Sequence, residues 1–258
     1  RFQKGHEDMT RVLVTGGAAG IGLAVAKRFV ASGARVLACD VDEATLNKAL
    51  DDVPGLLGLP CDVSVVADID ALFSALDHQL GGLDVLVNNV GIGGPTLPAD
   101  QLASEDWQRV LDINLTGTFE VTRRAIPLLK QSAGTIINMS SAAGRYGYPN
   151  RIAYSTTKWG LIGFTKTLSM ELGVHDITVN AILPGAVGGE RFDRVIAGRA
   201  QVSGRSLEDE IALGLATQSV KRIVPPQHIA DLAVFLTTPA GRSFSGAALP
   251  MDNDLQHG

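Results

Sequence analysis

The sequence has little of what marks secreted, membrane or nucleic-acid-binding proteins. It contains only two cysteines, Cys39 and Cys61, each within an apolar stretch, so we interpret them as small buried side chains rather than a disulfide or redox pair. The formal net charge is −5, which argues against a clustered basic surface for binding phosphate backbones. No apolar run reaches the roughly 18 residues needed to span a bilayer. We therefore expect a cytoplasmic protein with no membrane partner and no nucleic-acid partner.

Metal ligands and targeting segments are equally scarce. The five histidines are scattered, and none stands at metal-ligand spacing from Asp, Glu or Cys, so we predict no metal at the reaction centre. Residues 1–9 are polar, lack the apolar core of a signal peptide and are expected to form a flexible tail. Because no repeat, low-complexity tract or linker divides the remainder, we predict that residues 10–258 form a single domain.

Apolar runs of strand length alternate with amphipathic segments of helix length. The predicted strands are Arg11–Thr15, Ala34–Asp40, Leu56–Val63, Val85–Asn89, Thr135–Ser141, Ile177–Leu183 and Ala247–Met251. The predicted helices between them are Gly20–Ser32, Glu43–Leu50, Val65–Leu80, Ser104–Gln131, Tyr154–Gly173 and Pro226–Thr238. The strands are nearly continuous in Val, Ile and Leu, which is typical of strands covered on both faces. The pattern predicts an α/β fold, a Rossmann-type doubly wound parallel sheet of about seven strands with helices on both faces.

One long connection interrupts this alternation. Residues 185–225 contain no predicted strand, and a connection of that length in a compact domain is usually functional, so we interpret it as a substrate lid. The lid, together with the segment after the fifth strand, is rich in arginine: Arg145, Arg191, Arg194, Arg199 and Arg205. One hypothesis is that one of them binds an anionic group of the substrate. The alternative is a solvated helix whose arginines are balanced by nearby Asp and Glu side chains.

A glycine-rich turn follows the first strand. Thr15 is followed by Gly-Gly-Ala-Ala-Gly-Ile-Gly, which places Gly16, Gly20, Ile21 and Gly22 between the strand and the next helix. A pyrophosphate needs a sharp turn, a backbone free of Cβ atoms and helix N–H groups facing it. A tight turn alone would also explain the glycines, but the strand–turn–helix context predicts a dinucleotide site.

Acidic and amide side chains end the next three strands. Asp40 ends the second strand, where a carboxylate can accept hydrogen bonds from both ribose hydroxyls and would repel a 2′-phosphate. No Arg or Lys in the glycine turn compensates, so we predict NAD (NADH) as the cofactor, with NADP disfavoured. In the alternative interpretation, Asp40 does not bind the cofactor and only begins the turn before the next helix. Asp62 could reach the adenine or cap its own turn, and Asn89 with Gly91 lies in the turn after the fourth strand, on the predicted binding face.

Tyr154 and Lys158 lie four residues apart in a predicted helix, and therefore on one helix face. An unperturbed tyrosine has a pKa of about 10 and is a poor base at neutral pH. A lysine cation within a few ångström favours the phenolate, so Lys158 would help Tyr154 act as a general acid–base. A Tyr and a Lys four residues apart are common on ordinary helices, so the surrounding sequence decides whether the pair is catalytic. Ser140 and Ser141 end the fifth strand, where a serine hydroxyl could donate to the substrate oxygen.

Asn114 stands inside a helix-like segment, where asparagine is unfavourable unless its side chain binds something. With this residue the sequence resembles the short-chain dehydrogenase/reductase family, in its single-domain branch, from Thr10 to Asp252. The residues that carry the resemblance, in the order and spacing of the family, are the turn 15–22, Asp40, Asp62-Val63, the turn 88–91, Asn114, Ser141, Tyr154, Lys158 and Pro184-Gly185.

The resemblance implies a role for each of these residues. Tyr154 would be the acid–base, Ser141 would orient and polarise the carbonyl, Lys158 would hold the nicotinamide ribose, and Asn114 would keep a water in a proton relay. It also implies that Val63, Pro184, Gly185 and Val187 contact the cofactor. Members are usually homotetramers (or homodimers), with the helices around Asn114 and Tyr154 packed across an interface. Trp159, Ile162, Gly163 and Lys166 would suit that interface, although Trp159 could equally be part of the core.

The sequence departs from the family pattern after Pro184-Gly185. Gly189 stands where a threonine usually bonds the carboxamide, so we expect backbone groups such as those of Val187 to replace it. Val90 stands where alanine is usual.

These residues predict an NAD-dependent oxidoreductase that moves a hydride between the cofactor and a secondary alcohol or ketone of a small, polar or acidic substrate. A catalytically silent NAD(H)-binding sensor or scaffold is the alternative from another class, but it would have no use for an acid–base phenol. A nucleotide-sugar epimerase or dehydratase would need a large C-terminal substrate domain, and only a few residues follow the last predicted strand.

Overall fold

The computed structural model describes residues 9–256, except for the side chains of Arg191, Arg194, Val195, Arg199 and Val202. The tail predicted at residues 1–9 therefore lies outside the described residues, apart from Met9. No helix in the described part of the chain is both long and apolar enough to cross a membrane.

All seven predicted strands are present and form one parallel sheet. They are β1 (Arg11–Thr15), β2 (Arg35–Asp40), β3 (Leu56–Pro60), β4 (Val85–Asn88), β5 (Thr135–Met139), β6 (Thr178–Pro184) and β7 (Ala248–Met251). Their order is β3-β2-β1-β4-β5-β6-β7, with every neighbouring pair parallel. The predicted Rossmann-type sheet is confirmed. Some strands end earlier than predicted; β3 stops at Pro60 because Asp62 and Ser64 close a turn.

Helices cover both faces of the sheet. They are α1 (Gly20–Ala31), α2 (Glu43–Asp52), α3 (Val66–Leu80), α4 (Ser104–Leu111), α5 (Gly117–Ser132), α6 (Ile152–Leu172), α7 (Glu190–Ser203), α8 (Leu207–Leu215) and α9 (Pro226–Phe235). Alternate residues of β1 serve the two layers: Val12 and Val14 lie in one buried cluster with residues of α1 and α9, and Leu13 lies in the other with residues of α3 and α5. Burial on both faces explains why the strands are continuously apolar.

The segment predicted as one helix from Ser104 to Gln131 is interrupted. A π-helical turn over Asp112–Thr116 separates α4 from α5. Such turns insert an extra residue into a helix and are frequent at functional sites. Here the insertion carries Asn114, which is fully buried.

The connection 185–225 is more ordered than a bare loop. It contains α7 and α8, which agree with the alternative of a helix in this segment, although no helix bounds were predicted there. Gly204 ends α7 in a left-handed conformation (φ 72°), and the hydroxyl of Ser206 accepts a hydrogen bond from the Asp209 N–H to begin α8. The spacing of Ser206 and Asp209 was a readable helix-start pattern. Val187 and Val224 form an isolated parallel bridge that closes the base of the segment.

Candidate active site

The carboxyl ends of β1 and β4 mark the point where the strand order reverses. In doubly wound sheets, ligands bind beyond the strand ends at this position. Thr15 and Asn88 end these two strands, and Ser141 lies just beyond β5 on the same edge. The predicted residues that directly follow these strands, Gly16, Asn89 and Ser141, therefore lie at the same carboxyl end of the sheet.

The glycine turn is shaped so that no side chain fits. Gly16 and Gly20 have φ values of 62° and 53°, in the region that favours glycine. A Cβ on Gly22 would lie 1.9 Å from the Gly16 carbonyl oxygen and 2.5 Å from Asn89 Nδ2. Helix α1 can therefore begin directly against the turn, with the N–H groups of Gly20, Ile21 and Gly22 in its first turn, where a phosphate would be bound.

Asn89 ties this turn to β4. Its Nδ2 donates to the Gly16 carbonyl at 2.8 Å, and its backbone N–H donates to the Thr15 hydroxyl at 3.1 Å. The Val90 N–H reaches the same hydroxyl at 3.3 Å. Thr15 was not predicted as a site residue, although its position between an apolar strand and a glycine turn was visible in the sequence.

Asp40 lies half-buried at the end of β2, beside the glycine turn. One carboxylate oxygen accepts from the Ala18 N–H at 3.3 Å and the other from the Asp42 N–H at 3.2 Å. The carboxylate therefore both faces the turn and helps to shape the start of α2. Asp42 is the actual N-cap of that helix, and its hydrogen bonds from Thr45 hold the pKa of the Asp42 carboxyl below its ordinary value.

Asp62 caps its own turn. Its Oδ1 accepts from the Ser64 N–H at 2.9 Å and from the Ser64 hydroxyl at 2.7 Å, so the capping alternative describes this oxygen. Val63 is buried, and its carbonyl lies only 2.7 Å from where a Cβ of Gly117 would stand. The start of α5 thus packs directly on the backbone of Val63.

The two serines after β5 differ in their surroundings. Ser140 is buried, and its hydroxyl donates to the Lys158 carbonyl at 2.7 Å, which leaves it no proton for a substrate. Ser141 is half-buried, and its hydroxyl oxygen accepts from the Ala143 N–H at 3.1 Å. This contact uses the oxygen of Ser141 and leaves its O–H free to donate.

Tyr154 and Lys158 lie one turn apart on α6, as their spacing predicts. Lys158 is buried and its Nζ donates to the Met139 carbonyl of β5 at 2.8 Å. The same Nζ is 5.6 Å from the ring centroid of the half-buried Tyr154. A Cβ on Gly91 would stand 3.2 Å from this Nζ, so the glycine lets the ammonium reach the turn after β4.

Asn114 joins that turn to α6. Its Oδ1 accepts from the Ile92 N–H at 2.8 Å, and its Nδ2 donates to the Ile92 carbonyl and to the Thr157 hydroxyl, each at 3.0 Å. Asn114 Oδ1 also lies 3.4 Å from the Cβ position of Gly91. The expectation that this asparagine binds something agrees with these contacts. Thr157, its partner next to Lys158, was not recognised in the sequence.

Pro184 ends β6, and Gly185 follows it. A Cβ on Gly185 would lie 2.7 Å from the Cβ of Asp252, so the glycine packs directly against that residue. In the bridge to Val224, the hydrogen bonds use the Ala186 carbonyl and the Gly188 N–H. The N–H and C=O of Val187 take no part in that pairing. A contact between the Val187 backbone and the nicotinamide carboxamide would require these two groups to be available.

Cys39 and Cys61 are free and buried, in agreement with the sequence analysis. A hydrogen bond with Cys61 and burial raise the pKa of the Cys39 thiol well above its ordinary value, which disfavours the reactive thiolate. Within residues 9–256, no group of three His, Cys, Asp or Glu side chains is placed to hold a metal ion.

Known proteins match this arrangement over most of its length. A family model described as short chain dehydrogenase matches residues 10–198. The chain belongs to this family. This short-chain dehydrogenase is 33% identical to L-fucose dehydrogenase of Bos taurus over 229 residues, which cover 89% of the chain and 83% of that protein.

Solved structures agree with the short-chain dehydrogenase fold. A variant of actinorhodin polyketide ketoreductase with NADPH is 34% identical, with a TM-score of 0.90 over 95% of this chain and 97% of that one. An NAD⁺-bound xylitol dehydrogenase is 29% identical, with a TM-score of 0.87 over 94% and 97% of the two chains. This short-chain dehydrogenase is therefore an oxidoreductase that acts on alcohol or ketone groups and binds a nicotinamide dinucleotide, NAD(H) or NADP(H).

Proposed function

We propose that the protein is an NAD-dependent dehydrogenase that oxidises a secondary alcohol, or reduces the corresponding ketone, of a small polar or acidic molecule. The observation that carries the proposal is the position of Lys158 Nζ, 5.6 Å from the Tyr154 ring centroid and 3.2 Å from where a Cβ of Gly91 would stand. Ser141 follows β5, whose Met139 carbonyl accepts from the same Nζ. The cradle of glycines and the free donors at the start of α1 fit a dinucleotide. The named relatives that act on L-fucose and xylitol favour a small polar substrate.

In the proposed mechanism, the nicotinamide supplies the hydride acceptor or donor when it is bound. During oxidation, the Tyr154 oxygen takes the proton of the substrate hydroxyl, and Ser141 donates a hydrogen bond to the same substrate oxygen. Lys158 places its ammonium between the Tyr154 ring and the turn at Gly91, where it would hold the nicotinamide ribose. Asn114 fixes that turn and would keep a water that links Lys158 to solvent. Reduction uses the same groups with the proton moving the other way.

The experiment that tests this function is a substrate panel. Purified protein with NAD is offered hydroxy acids, polyols, sugars, steroids and aromatic alcohols while NADH absorbance is followed, with NADP in parallel. We expect NADH formation with at least one small polar class. If the protein binds NADH but oxidises no member of the panel, the result would favour the alternative of a sensor or scaffold. No contact among the described residues supports that alternative.

Cofactor preference is expected to depend on Asp40. Asp40→Asn keeps an acceptor for the Ala18 N–H but removes the charge that favours ribose hydroxyls and repels a 2′-phosphate. A hydrogen bond to a charged group contributes about 1.5–3 kcal/mol, so we expect the NAD to NADP ratio of kcat/KM to fall by about 10- to 100-fold. Asp42→Asn is the matched control, since Asp42 caps α2, and should leave the ratio unchanged. An equal ratio in the Asp40 variant and the parent would contradict the assignment.

We also propose a homotetramer, with a homodimer as the smaller possibility, in a reducing, cytoplasmic setting where Cys39 and Cys61 stay free. Trp159 is 51% exposed on α6, so the alternative that it belongs to the core is wrong. Phe119 on α5 and Met170 on α6 are 50% and 82% exposed. Such large apolar side chains on the two helices favour an interface between copies.

Trp159→Asp is expected to dissociate that assembly. An unpaired charge buried at an interface costs several kcal/mol, so association should weaken by about 10²-fold or more. Sedimentation velocity at micromolar protein measures the change. Val66→Asp removes a similarly exposed apolar side chain at the start of α3 and should leave the assembly intact. A Trp159 variant that sediments like the parent would place the interface elsewhere.

A further inference from the structure

Arg151 directly precedes α6 and lies one turn before Tyr154. Asn150 adopts a left-handed conformation (φ 61°), which is uncommon for a residue other than glycine and turns the chain into α6. The Asn150 carbonyl accepts from the Leu97 N–H at 3.0 Å, and the Arg151 carbonyl accepts from the Ser155 N–H at 2.9 Å. The backbone of Arg151 is therefore fixed between the helix and the loop that contains Leu97.

The guanidinium of Arg151 lies against the catalytic tyrosine. Its Cζ is 5.3 Å from the ring centroid of Tyr154 and 5.7 Å from that of Tyr148. Lys158 Nζ is 5.6 Å from the same Tyr154 ring. Two cations thus flank the proposed acid–base, although the whole chain has a formal net charge of −5. The reacting end of the site is locally positive.

Arg151 has hydrogen-bonding capacity that the described residues do not use. Within residues 9–256 it forms no ion pair, and the hydrogen bond found for its guanidinium is a long one, 3.4 Å from Nη1 to the Thr96 hydroxyl. Its Nε is buried and makes no hydrogen bond. A guanidinium has five donors, and leaving a charged donor unsatisfied is costly.

The arginines that the sequence indicates as candidates for binding a substrate anion are differently placed. Arg145 lies 3.8 Å from the buried carboxylate of Asp252, and Arg205 lies 3.1 Å from that of Glu210. Both already neutralise an acid, so for these two the alternative of a balanced structural charge holds. The side chains of Arg191, Arg194 and Arg199 lie outside the described residues. Arg151 was not among the candidates, since its place beside Tyr154 depends on the turn at Asn150.

We propose that Arg151 is the anion-binding residue of the active site and that the substrate carries a carboxylate close to the carbon that is oxidised. The inference rests on the proposed dehydrogenase function and narrows its substrate class to hydroxy acids and keto acids. A carboxylate matches the planar fork of a guanidinium and would supply the charge that Arg151 lacks. A neutral polyol would leave that cation uncompensated in a site already lined by Lys158. The anion would also fix which carbon faces Tyr154.

The test compares matched substrates that differ only in charge. A set of 2-hydroxy and 3-hydroxy acids is assayed with NAD beside the primary amide of each acid, using the parent protein and the variants Arg151→Gln, Arg151→Lys and Arg35→Gln. Arg35 is exposed at the amino end of β2, whereas the site lies at the carboxyl ends of the strands. Because charge-assisted hydrogen bonds are strong, we expect kcat/KM for the best acid to exceed that of its amide by about 10- to 100-fold.

Arg151→Gln should bring the acid-to-amide ratio close to one, mainly through KM, whereas NADH affinity stays unchanged. Arg151→Lys should restore part of the ratio, and Arg35→Gln should keep all of it. Acids and amides used equally well by the parent, or a ratio that survives Arg151→Gln, would overturn the proposal. So would turnover of polyols without any hydroxy acid, although the dehydrogenase function would then stand.

If no compound turns over, binding decides. Butanoate and butanamide are titrated into the protein–NADH complex while the NADH fluorescence is followed. Binding of butanoate alone, lost in Arg151→Gln, would support the anion site even though the proposed activity had failed. Absence of butanoate binding to the parent would overturn the anion site as well.

Discussion

Tyr154→Phe is expected to lower kcat by about 10²- to 10⁴-fold, the usual contribution of a positioned general acid–base. The substitution removes one oxygen and keeps the ring that lies between Arg151 and Lys158. The packing of α6 and the hydrogen bond from Lys158 to Met139 should therefore persist. Initial rates with the best substrate of the panel measure the loss, and NADH fluorescence titration should give an affinity near that of the parent.

The same variant separates the two functional classes considered for this chain. A loss confined to kcat assigns proton transfer to Tyr154 and excludes a pure binding role for it. A parallel loss of NADH affinity and thermal stability would instead indicate that the phenol is structural. Activity retained within the usual error of a rate measurement would contradict the mechanism, since no other tyrosine stands four residues before a buried lysine.

The sheet was predictable because its determinants are local. Strands buried on both faces must be apolar throughout, and such runs are visible without knowledge of their partners. The bounds of the helices in the connection 185–225 were not predicted, because their apolar pattern is weak and their ends are set by single residues, Gly204 and Ser206. The π turn at Asn114 was likewise invisible, since its extra residue becomes clear only from the hydrogen bonds that the asparagine makes to Ile92 and Thr157.

The site was predictable where chemistry is tied to chain order and less so where it depends on a turn. Tyr154 and Lys158 share a helix face by their spacing alone. The residues alone did not separate Ser140 from Ser141, and the family resemblance favoured Ser141. The structure adds the physical reason, because the Ser140 hydroxyl donates to the Lys158 carbonyl. Arg151 was not predicted to bind the substrate anion, since no periodic pattern indicates where a side chain after a left-handed residue will point.

Gly22→Ala is expected to destroy the dinucleotide cradle. The added Cβ would lie 1.9 Å from the Gly16 carbonyl oxygen and 2.5 Å from Asn89 Nδ2, so the turn and the start of α1 must separate. Overpacking a rigid contact costs about 1–3 kcal/mol, and occasionally more. The displaced helix N–H groups would also lose phosphate hydrogen bonds of about 1.5–3 kcal/mol, so NAD affinity should fall by at least about tenfold.

Gly198→Ala is the matched control for this loss. Gly198 lies exposed within α7 with open space where its Cβ would stand, so alanine there should stabilise the helix by about 0.5–1 kcal/mol. Chemical denaturation and calorimetric titration with NAD would be measured for both variants. A Gly22 variant that binds NAD like the parent would mean that α1 can move away from β1 without cost, and the close approach of helix and turn would then have no part in cofactor binding. If the Gly22 variant had normal stability but reduced affinity for NAD, the loss of affinity would be due entirely to the phosphate contacts.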